Sequence, residues 1–438
     1  VAKKPKQAAL NPKLPQVCVV TPSLNSGNYL DAALYSVLRQ DYPALQSLVV
    51  DGGSTDASLS LLERFTPWAE GRLQWISCPD NGPAAAVNAG FEAALANPDS
   101  QIIGWLNADD YYAEHAVSRA VTALQKNPHW VMVYGEAHHI DAHGADIGAY
   151  PTKPPKTPLQ SFKDGSFICQ PTAFFRREVF EAGLLDESYS TAFDFEWWLR
   201  IFKRFPGRIG MVNSVQAYSR LHPGCLTRRL RDVVALESIR AIQSHIGPAP
   251  LHWLLTRVDE LCASYLQDES TAPLATLVQD FVLKALPGMD AATRTELIER
   301  LKSDARLRMA RPNAFVAVQP DGWVGRRVTV RWRGERLSSP SEGQNAVAPS
   351  VLTLKCQGSW PRAGKLRLSV RPAVGGVQHF TVDAREEFVI QLDLPSLAGP
   401  SRTSWTIESA DIFVPSRVDK KLNDARELSF KVESLFVS

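Results

Sequence analysis

The hydrophobic pattern of this 438-residue chain changes period twice, and that succession limits what the chain can fold into. From Pro15 onward, short apolar runs alternate with amphipathic stretches: Val17 to Val20, then Leu30, Leu34, Val37 and Leu38 at helical spacing, then Leu48 to Val50. A helix in SLSLLERF follows, capped by Ser54, Thr55 or Asp56, and a third from Ala84 to Leu95 leads into the run Ile102 to Leu106. This rhythm predicts a doubly wound, mostly parallel α/β sheet with helices on both faces. Near residue 232 the strand signals stop, and Val233 to Ile246, Leu251 to Leu266, Ala272 to Leu286 and Ala291 to Leu307 predict a helical connector. After Pro312 a period of two takes over in VTVRW, LTLKC, KLRLSV, FVIQLDL, SWTIES and LSFKVESLFV, which predicts an all-β sandwich. In KLRLSV, for example, Leu366, Leu368 and Val370 share one face and Lys365, Arg367 and Ser369 the other. The expected organisation is a flexible arm over 1–15, an α/β domain over 16–231, the connector over 232–311 and the sandwich over 312–438.

Composition narrows the function classes. No run reaches the ~20 apolar residues of a membrane helix. Lysine and arginine number 48 against 46 acids, so a net charge of +2 removes the basic excess expected of a general nucleic-acid binder. The six cysteines form no C-x-x-C pair, which argues against a zinc site or a disulfide framework and for a reducing, cytoplasmic setting. The start at Val1 and the Lys/Pro-rich head fit one module of a larger protein.

In an open α/β sheet, ligands gather beyond the carboxyl ends of the strands. Three strand ends carry polar residues: Thr21-Pro22-Ser23, Asp51-Gly52-Gly53-Ser54-Thr55-Asp56 and Asn107-Ala108-Asp109-Asp110. Asp56 reads as a helix cap. Asp51 stands at the strand end itself, before two glycines that would let a ligand approach the backbone, and suits a base or ribose. The adjacent acids of NADD repel one another unless donors or a cation neutralise them, and a hard ion such as Mg²⁺ or Mn²⁺ would also bridge to a diphosphate.

The strings TPSLNSGNYLDAALYSVLRQDYP, VVDGGSTD, PDNGPAAAVNAGF, WLNADDYY, CQPTAFFRREVFEAGLLDE, FDFEWWLRI and YSRLHPGCLT occur in that order over roughly residues 16 to 230. Together they resemble the family 2 inverting glycosyltransferases of the GT-A fold. The resemblance implies that Thr21, Pro22, Ser23 and Asp51 hold the base and ribose, and that Gly82 and Asn88 belong to the sugar-nucleotide loop. Asn107, Ala108 and Asp109 would stand at the D-x-D motif, with Asn in place of its first acid. Asp109 and His222 would be metal ligands and Asp194 the general base. Gln170, Glu196 and Trp197 are candidates for contacting donor sugar or acceptor, although adjacent Trp197 and Trp198 on a helix point apart, so at least one belongs to the core. A helix beginning near Asp194 would place that carboxylate in its first turn.

The implied activity is metal-dependent, inverting transfer of a sugar from a nucleotide-diphosphate donor, UDP-linked by preference. The acceptor would be a hydroxyl of a glycan or lipid-linked saccharide in bacterial surface-polysaccharide synthesis, such as O-antigen or capsule. The expected setting is the cytoplasm or the inner face of its membrane, as a peripheral protein or homo-oligomer. The cluster Arg220, Arg228, Arg229 and Arg231 is a candidate for a diphosphate or an anionic acceptor. The end of the chain resembles the last strands of sandwich modules attached to such enzymes. Among Trp323, Trp332, Trp360 and Trp405, core packing is expected for about three. A sugar nucleotidyltransferase would need a glycine-rich phosphate loop after the first strand, which TPSLNSGNYL lacks. A non-catalytic glycan-binding or scaffold protein is the remaining alternative, against which Asp109, Asp194 and His222 speak.

Overall fold

The computed structural model describes residues 14–267, 272–311, 314–333, 351–358, 360, 363–394, 402–418 and 424–437. Most of the expected arm (1–13) and the boundary at Pro312 lie outside them. The chain forms two compact units, the first ending at Pro250 and the second starting at Leu251.

The first unit is organised on β1 (Gln16–Ser23), whose residues 17–21 are all buried. Such a run suits only a strand covered on both faces. In chain order the unit contains α1 (Leu30–Leu38), β2 (Leu45–Asp51), α2 (Ser58–Trp68), β3 (Leu73–Ser77), α3 (Pro83–Ala96), β4 (Ser100–Trp105), β5 (Tyr111–Tyr112) and α4 (Ala116–Lys126). Then come β6 (Met132–Ile140), β7 (Asp146–Ala149), β8 (Phe174–Arg176), α5 (Phe193–Arg204), β9 (Ile209–Arg220), α6 (Leu226–Arg229) and α7 (Arg231–Ile246). The sheet order is β3-β2-β1-β4-β8-β6-β9-β5, with β7 on β6. Val17 and Val19 pack with Ala33 and Val37 of α1 and Val117 of α4, whereas Val20 lies under Gly90 of α3. The sheet is thus doubly wound.

The parallel character belongs to β3, β2, β1 and β4. From β4 onward the sheet is mixed, antiparallel through β8 to β6 and parallel again at β6 and β9. The added strands β5 and β8 have two and three residues, too few to display a period. Strand order reverses at β1, with β2 on one side and β4 on the other, so a crevice opens where Ser23, Asp51 and Trp105 end their strands.

The predicted connector is divided. Helix α7 belongs to the first unit, because Glu237 and His245 on it bond to the chain around α5. Helices α8 (His252–Ser264), α9 (Leu274–Ala285), α10 (Ala291–Ser303) and α11 (Ala305–Met309) belong to the second unit, where Ala305 and Met309 join the sandwich core.

The strands of the second unit are β10 (Ala314–Val316), β11 (Trp323–Val324), β12 (Arg327–Arg333), β13 (Val351–Gln357), β14 (Lys365–Pro372), β15 (Gln378–Asp383), β16 (Glu387–Asp393), β17 (Arg402–Ser409) and β18 (Phe430–Val437). They form two antiparallel sheets, β10-β12-β17-β14-β15 and β11-β18-β13-β16, with Val330, Leu354, Leu366, Ile407 and Leu435 in one core. The alternation in KLRLSV holds, with Leu366, Leu368 and Val370 inward. Trp332 and Trp405 are core residues, and Trp360 packs on the core with its indole donating to the Ser429 carbonyl at 2.6 Å. Trp323 is half-buried, edge-on to Phe413. Among the described residues no helix is long and apolar enough to cross a membrane.

Leu354 is fully buried, and Leu354→Ala should lower unfolding free energy by about 2–5 kcal/mol, whereas exposed Lys365→Ala should stay within about 0.5 kcal/mol. Urea denaturation of the full chain measures both.

Candidate active site

The loops after β1 and β2 are knitted into one rim. The Asn25 amide donates to Ser54 Oγ (2.8 Å), and Asn25 Oδ1 accepts from Thr55 N (2.9 Å). Asp56 accepts from Gly27 N (2.8 Å) and from both the amide and hydroxyl of Ser58 at the start of α2, so its task is to tie the loops together and cap the helix. Asp51 is fully buried. Its Oδ2 accepts from Gly53 N (3.1 Å), Ser54 N (2.9 Å) and Ser77 Oγ (2.7 Å), and its Oδ1 accepts from Ser54 Oγ. A carboxylate has about four lone-pair positions, so Asp51 is committed to shaping the rim and does not present free acceptors to a base. The space beside Gly52 is also taken: a Cβ there would fall 2.4 Å from Asp80 Oδ2, so this glycine admits Asp80 and not a ligand.

Thr21 and Ser23 are buried and Pro22 half-buried at the end of β1. Ser23 Oγ has no hydrogen-bond partner among the described residues. Such an orphan costs about 1–3 kcal/mol, which a polar ligand would recover. Gly82 holds φ at +117°, a value that favours glycine, and its amide is fixed by Asp80 Oδ1 at 2.8 Å just before α3.

The NADD loop follows β4. The Trp105 indole N–H donates to Asn107 Oδ1 at 2.9 Å. Since an indole only donates, the Asn107 amide is turned so that its NH₂ is left for other acceptors. Ala108 is buried among Leu30, Leu34 and Leu62. Asp110 is buried and accepts from Arg220 N at 2.8 Å; burial and then the Asp109 charge push its carboxyl well above the usual range.

Arg220 is not a free cation for a diphosphate. It is 7% exposed, donates through Nε to the Asp109 carbonyl (2.9 Å) and through Nη1 to the Asp141 and Ala142 carbonyls, and lies over the Tyr29 ring. It clasps the NADD loop to the end of β6. Arg228 and Arg229 are exposed, and Arg231 bonds to the Thr227 carbonyl.

The structure brings Asp109 and His222 together, with Oδ2 and Nε2 3.1 Å apart and the His222 ring against Tyr29. One hard oxygen and one imidazole nitrogen at this spacing fit neighbouring positions on a divalent ion. Among the described residues no third His, Cys, Asp or Glu joins them, so further ligands would come from a bound molecule. The Gly224 amide donates to His222 Nδ1 at 3.2 Å, so ligation through Nε2 requires the tautomer that gives up this bond.

Asp194 occupies the first turn of α5, as its sequence implies. It is largely buried, and burial raises its carboxyl to about 6 against the opposing Phe195 amide (2.7 Å). Buried Cys169 is pushed up by burial and by the charges of Asp110 and Asp194, and buried Tyr150 is raised by burial, Cys169 and Asp194. Gln170, next in the chain, donates to the Trp105 carbonyl at 2.8 Å, and its buried Oε1 has no partner among the described residues. Gln170 is thereby tied to the end of β4, from which the NADD loop leaves.

Three expected contacts are corrected. Glu196 is 3% exposed, gripped by Arg200 (2.8–2.9 Å) and by His245 Nε2 (2.8 Å). Its position two residues after Asp194 on a helix turns it away from that side chain. Trp197 is fully buried against Phe91, Phe175 and Phe180, with its indole donating to the Gly183 carbonyl, so both tryptophans of the pair are core. Asn88 spends its amide on Leu185 N and O (both 3.0 Å) and on Glu187 (2.9 Å), pinning the 185–187 loop. Sequence reasoning missed Glu237 on α7, which accepts from the residues leading into α5; no local signal marks a residue that acts across 46 positions. Asn88→Ala should destabilise the full chain by about 1–3 kcal/mol in urea denaturation, with affinity for UDP unchanged.

Residues 18–184 match the profile of Glycosyl transferase family 2. An uncharacterised glycosyltransferase of Nostoc sp. is 28% identical over 217 residues, 47% of this chain and 65% of that protein. Another, of Haemophilus influenzae, is 30% identical over 135 residues, 31% of this chain and 52% of that protein. The matched regions thus span about half to two thirds of these relatives' lengths. Among solved structures, S. aureus TarS 1-349 in complex with UDP-GlcNAc is similar over 66% of this chain and 85% of its own, with a TM-score of 0.45 and 16% identity. The profile match runs from β1 through the NADD loop to β8, so the stretch of the first unit that carries the three polar strand ends is similar to glycosyl transferase family 2.

Proposed function

We propose that the domain transfers a sugar from a nucleotide diphosphate, UDP-linked by preference, to a hydroxyl of a glycan or lipid-linked saccharide, with inversion at the anomeric carbon. The observation that carries this reading is Asp194: a carboxylate raised to about 6, in the first turn of α5, bonded among the described residues only to backbone amide. An acid of that strength is mostly ionised at pH 7 yet more basic than an ordinary carboxylate, which suits a general base. Asp194 takes the proton of the acceptor hydroxyl as its oxygen bonds to the anomeric carbon, while the bond to the diphosphate oxygen breaks on the opposite face. No covalent enzyme intermediate forms.

Ser23 Oγ and the Asn107 NH₂ are positioned to hydrogen-bond the nucleotide, and Gln170 Oε1 to accept from a sugar hydroxyl. Asp109 and His222 would hold Mn²⁺ or Mg²⁺, which when bound supplies positive charge to the departing diphosphate. A nucleotide-sugar donor implies work in the cytoplasm or at the inner membrane face. Surface-polysaccharide assembly fits such a domain carried beside a sandwich module, and an O-antigen biosynthesis protein of Myxococcus xanthus, 23% identical over 55% of this chain and 19% of its own length, is among its relatives.

Asp194→Asn should cut turnover by about 10²–10⁴-fold and leave UDP affinity within about twofold, measured by nucleoside diphosphate release from a nucleotide-sugar panel and by calorimetry. Retained turnover would overturn the base assignment. The active form is deprotonated, so kcat should be flat above pH 7 and fall about tenfold per unit below pH 6. In calorimetry with UDP, Asp109→Ala and His222→Ala should each abolish the gain in affinity that Mn²⁺ confers.

A further inference from the structure

Among the contacts that α7 makes with α5 and the segment before it, those of Glu237 and His245 flank Asp194, and both lie beyond the stretch matched by the family profile, which ends at 184. At the first, Glu237 reaches from α7 to the residues just before α5. Its Oε1 accepts from Ser190 N at 2.7 Å, and its Oε2 accepts from Thr191 N (2.8 Å), Thr191 Oγ1 (2.8 Å) and Ala192 N (2.9 Å). At the second, His245 Nε2 lies 2.8 Å from Glu196 Oε1. Asp194 sits between the residues these contacts fix, two after Ala192 and two before Glu196.

The Glu237 contact is specific in chemistry. The first amides of a helix and of the turn leading into it have no partner within the helix, and α5 has no side-chain cap of its own. Glu237 supplies the missing acceptor from another element, and it is 9% exposed. Burial works to raise its carboxyl, and the bonds from Ser190, Ala192 and Thr191 outweigh that, leaving it below the usual range. The carboxylate therefore stays ionised and locked to three consecutive amides.

We infer that Glu237 is a positioning residue for catalysis: by clamping residues 190–192 it sets where the first turn of α5 holds the Asp194 carboxylate. Helix α7 is thereby a working part of the catalytic domain. The inference rests on Asp194 being the base. A base displaced by about 1 Å loses on the order of 100-fold in rate, and the nucleotide contacts at Ser23, Asn107 and Asp109 are on other elements. Loosening the clamp should therefore lower kcat and spare donor binding.

The test replaces Glu237 with Gln, whose NH₂ cannot accept from the amides, in the full chain. Expected results are at least tenfold faster hydrogen exchange over residues 190–192, a fall of about 100-fold in kcat with donor KM and UDP affinity within about threefold, and a shift of the acidic limb of the pH profile from about 6 toward the ordinary carboxylate range as Asp194 gains water. Glu237→Asp, which keeps the charge but shortens the reach, should fall between. Ile239→Ala, a cavity on α7 at a residue that makes none of the clamp's hydrogen bonds, controls for lost stability and should leave kcat per folded molecule and the pH limb unchanged. If Glu237→Gln keeps wild-type exchange, kcat and pH limb while Asp194→Asn is inactive, the positioning inference fails and the base reading stands. If Asp194→Asn stays active, the base reading itself has failed, whatever Glu237→Gln does. If Glu237→Gln and Ile239→Ala lose kcat equally, Glu237 only supports folding and the inference is overturned.

Discussion

An ionised carboxylate taken out of water costs several kcal/mol unless fixed donors replace the solvent it loses. In the first unit this constraint is met repeatedly by the same means, an acid that gathers donors from a neighbouring segment. Asp51 collects two amides and two hydroxyls and so shapes the turn after β2. Glu237 collects three amides and a hydroxyl before α5, and Glu196 collects Arg200 and His245 behind it. Loops carry the site, and these acids give the loops definite shapes.

Asp194 stands apart because its surroundings withhold those donors. A backbone amide is its hydrogen-bond partner, and burial is left largely uncompensated, which is why its carboxyl is raised while those of Glu196 and Glu237 are lowered. Three acids within one packed region thus hold different proton affinities through what each is allowed to touch. The two that are satisfied hold the third in place.

The architecture was legible where long periodic segments carry it. The βα alternation located β1 to β4 and their helices, and period two located the sandwich, because burial there follows side-chain direction residue by residue. The mixed half of the sheet was not legible, since Tyr111–Tyr112 and Phe174–Arg176 pair through tertiary context alone. In the site, the motif strings marked Asp109 and His222, which lie 3.1 Å apart, and Asp194, which stands in the first turn of α5, yet gave no account of partners. Glu196 and Asn88 look like site residues in sequence and are consumed by Arg200 and by the 185–187 backbone. Trp197 sits beside the base in sequence and beside Phe91 in space. Such distinctions depend on pairings more than 90 positions apart in the case of Asn88, and hydrophobic patterning cannot encode them.

The break between the units after Pro250 bears on how such chains exchange parts. A cut at the end of the family match would strand Asp194 and the whole of α5, and a cut at the first loss of strand signal, near 232, would sever α7 and the acid that anchors the base. The sandwich in turn shares its core with α11, so it begins in sequence well before its first strand. A recombination event that preserves both cores has to fall in the short turn between Ile246 and Leu251. The unit that keeps its own core therefore includes α7, and the one that follows the turn starts with helices ahead of its sandwich.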